Sequence, residues 1–263
     1  MAGRLAFIGL GLHDEDGITV RGSEEARSAD VVFAEAYTST LAKGALDRLA
    51  ARLGKHIELL DRKAVEDGKR ILDEAATKAV ALLVAGDPMS ATTHVDLRLR
   101  AERAGIGTVV VHGVSVMTAV PGLLGLQHYK FGRTTTLPFP QEGYSPTSPY
   151  EVVEENLSRG LHTLVLLDID AENARYMTAS EGFHLLMDLE RRVGHGLLKD
   201  DTIVCAVARA GGPDCVVRAG ELKSMAGRDF GAPLHAIVVP GRLHFLEEEA
   251  LQELAMLERK SRS

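Results

Sequence analysis

An aspartate stands in a glycine–proline turn between a buried strand and a helix. Residues 79–84 are a short apolar run, which is typical of a buried strand, and residues 95–103 have helical spacing. The pattern places Asp87 at the carboxyl end of a strand, where open α/β sheets bind ligands. Gly86 allows another group to approach the backbone, and Ser90 supplies a hydroxyl near the helix start. The turn is a candidate binding site, although ordinary strand-to-helix turns share this pattern.

The first strand, at residues 4–8, ends in a second turn of this kind. The turn Gly9-Leu10-Gly11 resembles a dinucleotide-binding loop, but Asp14 stands where the third glycine should be. Three acids at 14–16 would repel a phosphate. A cofactor without phosphate, or with a cationic centre, therefore suits this loop better.

A third turn follows the strand predicted at residues 108–112. Its Gly-x-Ser sequence is reminiscent of a hydrolase nucleophile elbow, but Met117 replaces the final glycine of that motif. We expect Ser115 and Val116 to begin a helix whose backbone groups can face a ligand.

Strands and helices alternate along most of the chain, which predicts an α/β fold. The first half indicates a mostly parallel sheet. The second half includes a hairpin pattern at 202–207 and 216–220, which indicates a mixed sheet. Residues 129–133 and the threonine run that follows them are predicted as a strand that leads into a long proline-rich loop.

Composition excludes several classes of protein. Hydrophobic residues make up 45% and charged residues 25% of the 263 residues, which is typical of a globular protein. The net charge of −7 argues against direct nucleic-acid binding and against binding to an anionic membrane. Two cysteines and no signal-peptide pattern predict a reducing, cytoplasmic location.

The ten histidines show none of the spacings of known metal sites, so no metal is predicted. We expect His94 and His112 to be hydrogen-bonded at turns, while His235 could line a pocket or lie on the sheet surface. The residues themselves indicate no catalytic base or nucleophile.

Six groups of residues occur in order from about residue 4 to residue 250. They are Gly9-Leu10-Gly11-Leu12 with Asp14-Glu15, Ala34-Glu35 with Tyr37-Thr38-Ser39, Gly86-Asp87-Pro88 with Ala91-Thr92-Thr93-His94, Tyr129-Lys130-Phe131-Gly132, Gly160-Leu161-His162-Thr163-Leu164 with Leu167-Asp168-Ile169, and Val239-Pro240-Gly241 with Leu243-His244. Together they resemble the diphthine synthase family of the tetrapyrrole methylase superfamily.

The resemblance implies a two-lobed α/β fold with lobes at residues 1–112 and 113–263 and the cofactor in the cleft between them. It implies an S-adenosylmethionine-dependent methyltransferase. The methyl acceptor is then the amino group of an aminocarboxypropyl-modified histidine of elongation factor 2, and the product is diphthine, in diphthamide biosynthesis. Family members are homodimers. The number of methyl groups added and the docking surface for the protein substrate do not follow from the sequence.

The resemblance also places cofactor contacts on eight residues, of which Ser90 stands where the family often has an aliphatic residue. These residues are Leu12, Asp87, Ser90, Ser115, Val116, Leu167, Ala210 and His235. Two alternatives stay open: a methyltransferase of the same fold that acts on a tetrapyrrole or an RNA-borne substrate, and a cofactor-sensing module without enzymatic activity.

Charge favours an amine acceptor over a tetrapyrrole, which carries many carboxylates. The loops assigned to the cleft (9–17, 86–94, 112–116 and 209–213) contain Arg209 as their single basic residue, and four acids. We expect Lys130 and Arg133 to meet the carboxylate of the modified histidine or the partner protein.

Apolar side chains of the proline-rich loop and the C-terminal helix are expected to be exposed, and some of them to be buried in a dimer interface. They are Phe139, Tyr144, Tyr150, Phe245 and Leu246.

Overall fold

The computed structural model describes residues 3–35, 41–141, 143, 145–171 and 173–258. They form two compact units. Unit 1 extends to Val116 and includes the short segment Ala171–Asn173, and unit 2 contains the remainder from Met117 onward. The boundary expected after residue 112 lies a few residues before this division.

Unit 1 is built on a five-stranded parallel sheet in the order β3-β2-β4-β1-β5. The three central strands are buried along almost their whole length, as apolar runs covered by helices on both faces should be. The strands are β1 (Arg4–Gly9), β2 (Val31–Glu35), β3 (Ile57–Leu60), β4 (Ala79–Val84) and β5 (Gly107–Val111).

Side chains alternate across this sheet and so form one core on each face. Leu5 and Phe7 belong to one cluster, and Ala6 and Ile8 belong to the other. The covering helices are α1 (Val20–Ser28), α2 (Ala45–Leu53), α3 (Arg62–Asp67), α4 (Lys69–Ala75) and α5 (His94–Arg103).

The helices α3 and α4 follow one another along the chain and are separated at Gly68. This glycine has a left-handed φ of 63°, and it ends α3 and precedes α4. A Cβ atom at this position would lie 2.6 Å from Leu97 Cδ1, so close packing against α5 also favours glycine.

Unit 2 contains a mixed sheet in the order β11-β10-β12-β7-β6, in which only the β6–β7 pair is parallel. A separate two-stranded ribbon joins β8 and β9. The parallel sheet of unit 1 and this mixed sheet confirm the predicted fold class. The strands are β6 (Thr135–Leu137), β7 (Thr163–Leu167), β8 (Ile169–Asp170), β9 (Arg175–Tyr176), β10 (Ile203–Ala208), β11 (Val216–Glu221) and β12 (His235–Val239).

The strand expected from Tyr129 through the threonine run is confirmed only in its last part. Residues His128–Lys130 form a 3₁₀ turn, Phe131 makes an isolated bridge to His162, and the strand itself, β6, begins at Thr135. A bridge at one residue satisfies local backbone groups without extending into a ladder.

Three helices of unit 2 contribute side chains to a large buried cluster: α7 (Ser148–Ser158), α8 (Ala179–Val193) and α9 (Leu222–Ala226). The helix α6 (Val116–Leu124) begins at the division, and α10 (Phe245–Leu254) lies against β11. None of the helices in the described ranges is both long enough and apolar enough to cross a membrane.

Candidate functional site

Three turns of unit 1 meet at glycines on the carboxyl edge of its sheet. Gly11 and Gly86 form a bridge, with N–H···O distances of 3.1 and 2.8 Å. A Cβ at Gly113 would lie 2.4 Å from Gly86 O, and a Cβ at Gly9 would lie 2.5 Å from Gly113 N. The glycines of the Gly9-Leu10-Gly11 loop therefore serve the packing of one turn on another, which the dinucleotide-loop comparison did not predict.

Gly86 differs from its neighbours because its surroundings are open. Its φ is 76°, the left-handed region that favours glycine, and a Cβ there would meet nothing within 4 Å. Asp87 follows directly, so the turn presents a carboxylate next to open space.

The carboxylate of Asp87 is only 9% exposed and is held from both sides. Its Oδ1 accepts hydrogen bonds from Met89 N–H (2.9 Å) and Ser90 Oγ–H (3.2 Å), and its Oδ2 accepts one from His112 Nδ1–H (2.7 Å). Burial alone would raise the pKa of Asp87, but these hydrogen bonds lower it below its ordinary value, so the carboxylate stays charged.

Two histidines position this turn, as the sequence predicts. His112 has a side chain that is 73% exposed, and its Nδ1 contacts Asp87. His94 is buried, and its Nδ1–H donates to Pro88 O over 3.0 Å. Burial lowers the pKa of His94, so it is a neutral anchor behind the turn.

Part of the negative charge of the loop after β1 is neutralised by ion pairs that the sequence does not show. Glu15 pairs with Arg48 (2.5 Å), and Asp16 pairs with Arg52 (2.6 Å), both on α2. Because α2 is distant in sequence, charge counting within the loop missed these partners. The hydrogen bond from Arg48 lowers the pKa of Glu15.

The remaining predicted residues of unit 1 also lie at this edge. Leu12 is half-buried in the turn after β1, Ser115 is nearly buried after β5, and Val116 is the first residue of α6. The helix start expected at residues 115–116 is confirmed. The Tyr37-Thr38-Ser39 motif lies outside the described residues.

The predicted residues of unit 2 gather at one edge of its own sheet. Leu166 pairs with Ala236, and Ala208 pairs with His235, so Leu167, at the end of β7, and Ala210, just beyond β10, lie at the same end as His235.

His235 already uses both ring nitrogens within unit 2. Its Nδ1 accepts from Ala179 N–H at the start of α8 (3.0 Å), and its Nε2–H donates to Ala232 O (2.9 Å). Burial lowers the pKa of His235, in accord with a neutral ring. What it offers a ligand is therefore its ring carbons and its backbone.

Arg209, the basic residue that the charge count placed in the cleft, is a structural residue of unit 2. It has a left-handed φ of 51°, and its guanidinium donates to Phe230 O (2.8 Å) and pairs with Asp214 (2.6 Å).

A buried charged cluster in unit 2 was missed by sequence reasoning. Glu247, only 1% exposed, accepts from Lys130 Nζ, from His162 Nε2–H (2.9 Å), and from the backbone N–H groups of Gln127 (2.9 Å) and His244 (2.8 Å). Burial alone would raise the pKa of Glu247, but these donors lower it to about 2. Lys130 also donates to Arg242 O (2.6 Å), so its ammonium already has two acceptors within unit 2, which argues against the prediction that it meets a substrate carboxylate.

Neither cysteine has the surroundings of a reactive thiol. Both are free, and burial raises the pKa of each of them, Cys205 and Cys215. Within the described residues, no group of three or more His, Cys, Asp or Glu side chains could hold a metal ion.

Fold and site together define a two-unit α/β protein with a carboxylate, hydroxyls and apolar side chains collected at strand ends. The chain belongs to the family described as Tetrapyrrole (Corrin/Porphyrin) Methylases, whose sequence profile matches residues 4–226. It is a methyltransferase that uses S-adenosylmethionine as methyl donor.

Similar proteins extend this result over nearly the whole chain. A diphthine synthase of Methanocaldococcus jannaschii is 46% identical over 253 residues, covering 95% of this chain and 98% of the relative. Another, from Methanocella arvoryzae, is 48% identical over 255 residues, covering 96% and 98%. A crystal structure of a diphthine synthase superposes with a TM-score of 0.88 at 38% identity and covers 97% of this chain and 96% of its own. The resemblance given by the motifs is thereby confirmed.

Proposed function

We propose that this methyltransferase carries out the diphthine synthase reaction in the cytoplasm. It methylates the amino group of an aminocarboxypropyl-modified histidine of elongation factor 2, in diphthamide biosynthesis. The observation that carries this proposal is the extent of the similarity. Relatives that are 46–48% identical match over 95–96% of this chain, so the similarity includes both units and is not restricted to a cofactor motif.

The donor groups at the strand ends fit the cofactor. Its sulfonium supplies a methyl group that is already activated, so the transfer needs no metal and no nucleophilic residue. Asp87 is a charged acceptor for cationic and hydroxyl groups, and Leu12 and Val116 offer apolar surface. The open space at Gly86 leaves room beside the carboxylate. We propose that Ser90 and Ser115 of unit 1, and Leu167, Ala210 and His235 of unit 2, contact the same cofactor.

Replacement of Asp87 tests the cofactor part of the proposal. A charge-assisted hydrogen bond contributes about 1.5–3 kcal/mol, so Asp87→Ala should weaken calorimetric binding of S-adenosylhomocysteine at least about tenfold. Asp61→Ala is the matched control, because Asp61 also accepts a backbone hydrogen bond at a turn (Ala64 N–H, 2.7 Å) but caps α3. An affinity of Asp87→Ala equal to that of the wild type would remove Asp87 from the site.

The charges at these loops favour an amine over a tetrapyrrole as the methyl acceptor. The arginines in contact with the loop after β1 are paired with its own acids, and Arg209 is bound to backbone carbonyls and Asp214. These cations are therefore not available to the carboxylates of a tetrapyrrole, whereas Asp87 stays charged near any cationic amine.

The experiment offers both acceptors with labelled S-adenosylmethionine. We expect label on elongation factor 2 that carries the aminocarboxypropyl group, and none when its target histidine is replaced. Label in uroporphyrinogen or a precorrin, with none in the modified factor, would contradict the proposal. No transfer to any acceptor would favour the cofactor-sensing module.

We also propose a homodimer, supported by exposed apolar side chains in unit 2. Phe245 and Leu246 are 68% and 53% exposed at the start of α10, and Tyr129 is 79% exposed. Glu247 ties α10 to the turn that carries Tyr129. Phe139 and Tyr150 are buried in the core of unit 2, so the expectation that they are exposed was wrong, and Tyr144 lies outside the described residues.

Light scattering tests this interface. At micromolar concentration the wild type should have twice the mass of the 28.3 kDa chain, and Phe245→Asp should shift it toward monomer. Leu59→Asp is the control, since Leu59 is also an exposed apolar residue (57%) but belongs to unit 1. A wild type found only as monomer would refute the dimer.

A further inference from the structure

The pair formed by His112 and Asp87 combines two properties that a proton acceptor needs. Asp87 Oδ2 accepts the Nδ1–H of His112 over 2.7 Å, so in the neutral ring the lone pair lies on Nε2. The imidazole is 73% exposed while its partner carboxylate is 9% exposed. The contact at Nδ1 thus fixes the orientation of the ring, while most of the side chain is accessible to a substrate.

The proposed acceptor creates a need for such a group. An aliphatic amine is largely protonated at neutral pH, and an ammonium has no lone pair with which to attack a methyl group. A base beside the acceptor would increase the fraction in the reactive form, and a positioned general base typically contributes about 10²–10⁴-fold to a rate.

We propose that His112 Nε2 takes the proton from the acceptor ammonium before each methyl transfer, an inference that rests on the proposed function. The N–H bond of the ammonium breaks, its electron pair stays on nitrogen, and the proton goes to His112 Nε2. The nitrogen then bonds to the methyl carbon as the S–CH₃ bond breaks, and that electron pair stays on sulfur, which gives S-adenosylhomocysteine. The imidazolium releases its proton to solvent through its exposed face.

Other histidines at strand ends do not have this combination. His94 and His235 are 1% and 8% exposed, and both ring nitrogens of His235 have partners. His13, in the turn after β1, lies 3.8 Å from Asp14, beyond hydrogen-bond distance.

Asp87 is the charged group that contacts the His112 ring among the described residues. The turn after β1, which packs on Gly113, presents glycine backbone there, at Gly9 and Gly11. The carboxylate, 2.7 Å from the ring, stabilises the imidazolium once the proton has moved.

The test measures methyl transfer to modified elongation factor 2 against pH. Asparagine keeps a donor toward Asp87 but cannot take a proton, so His112→Asn should lose about 10²-fold or more in kcat at about pH 7. The loss should shrink as the pH rises, because the amine then gives its proton to water. Binding of S-adenosylhomocysteine should stay unchanged, and added imidazole should restore part of the rate of His112→Ala. His56→Asn, an exposed histidine before β3 at the opposite edge of the same sheet, is the control.

Each result decides the question. Full activity of His112→Asn, or a loss that is the same at every pH, overturns the role of His112 and leaves the proposed function standing. A loss of cofactor affinity as large as the loss of rate would make His112 a positioning residue and also overturns it. No transfer by the wild type overturns the proposed function, and with it the role of His112.

Discussion

Among the histidine–carboxylate pairs of the described residues, one pair in each unit can be compared, because the two have similar lengths and opposite burial. In unit 1, His112 meets Asp87 over 2.7 Å, and the imidazole is 73% exposed. In unit 2, His162 meets Glu247 over 2.9 Å, and the two side chains are 0% and 1% exposed. Of these two contacts, one lies at a surface that a substrate can reach and the other lies where no substrate can.

The partners of each pair show what burial changes. His162 Nδ1 accepts from Gly241 N–H (2.9 Å), so neither of its ring nitrogens is available, and Glu247 accepts from four donors. Such a fully satisfied cluster fixes the 3₁₀ turn at residues 128–130 and the starts of β7 and α10 relative to one another. The pair in unit 1 keeps one nitrogen for chemistry. For these two pairs, contact distance does not distinguish the roles, whereas exposure and the second ring nitrogen do.

The largest effect on stability is expected from breaking the buried pair. Glu247→Ala removes the acceptor of three N–H donors and the counter-charge of Lys130, which keeps its bond to Arg242 O. Removal of one partner of a buried ion pair typically costs about 3–5 kcal/mol. Urea denaturation should show this loss in the free energy of unfolding. Glu248→Ala, at the exposed neighbouring position of α10, should stay within about 0.5 kcal/mol of the wild type. Equal stabilities of the two variants would mean that the cluster contributes little.

Acid should break the same cluster in a defined window. The pKa of Glu247 falls from 4.5 to about 2 on folding, so its contribution is complete above 4.5 and is lost as the pH falls toward 2. Burial lowers the pKa of His162, so the unfolded chain binds a proton below 6.5 that the folded chain does not, which also destabilises the fold in acid. Urea titrations at about pH 7, 5 and 3 should show two successive losses. Glu247→Gln should lack the lower one, and an unchanged acid response would contradict the assignment.

The sequence predicted those features that depend on local pattern. Apolar runs bounded by turn residues identified β1, β2 and β4. The rule that ligands bind at strand ends placed Asp87 at the carboxyl edge of the sheet. Ser115 and Val116 were placed at the start of a helix for the same local reasons.

Contacts between distant residues could not be read in this way. The partner of Glu247 lies 117 residues away at Lys130, and Arg48 pairs with Glu15 across 33 residues. A charge count within a loop treats such side chains as free to bind a ligand, although in the folded chain they already form ion pairs with distant residues. The role of Gly113, likewise, depends on three turns that meet only in the folded sheet.

A smaller effect is expected where these turns meet. Gly113→Ala would place a Cβ 2.4 Å from Gly86 O, so the backbone must shift, and overpacking of this kind typically costs about 1–3 kcal/mol. Gly107→Ala in β5 is the control, because its Cβ would meet nothing within 4 Å. Because the shift moves the residues beside Asp87, Gly113→Ala should also weaken binding of S-adenosylhomocysteine. If Gly113→Ala and Gly107→Ala are equally stable, then the close packing of the turns is not required.

The smallest effect on stability is expected at the exposed pair of His112 and Asp87. His112→Asn removes an imidazole that is mostly in water and keeps a donor toward Asp87, and substitutions at such surface positions usually change stability by less than about 0.5 kcal/mol. Asp87 retains its hydrogen bonds from Met89 and Ser90, so the turn should keep its conformation. Urea denaturation should therefore give wild-type stability for a variant whose methyl transfer at neutral pH is strongly reduced. A loss of stability comparable to that of Glu247→Ala would show that the exposed pair, too, is mainly structural.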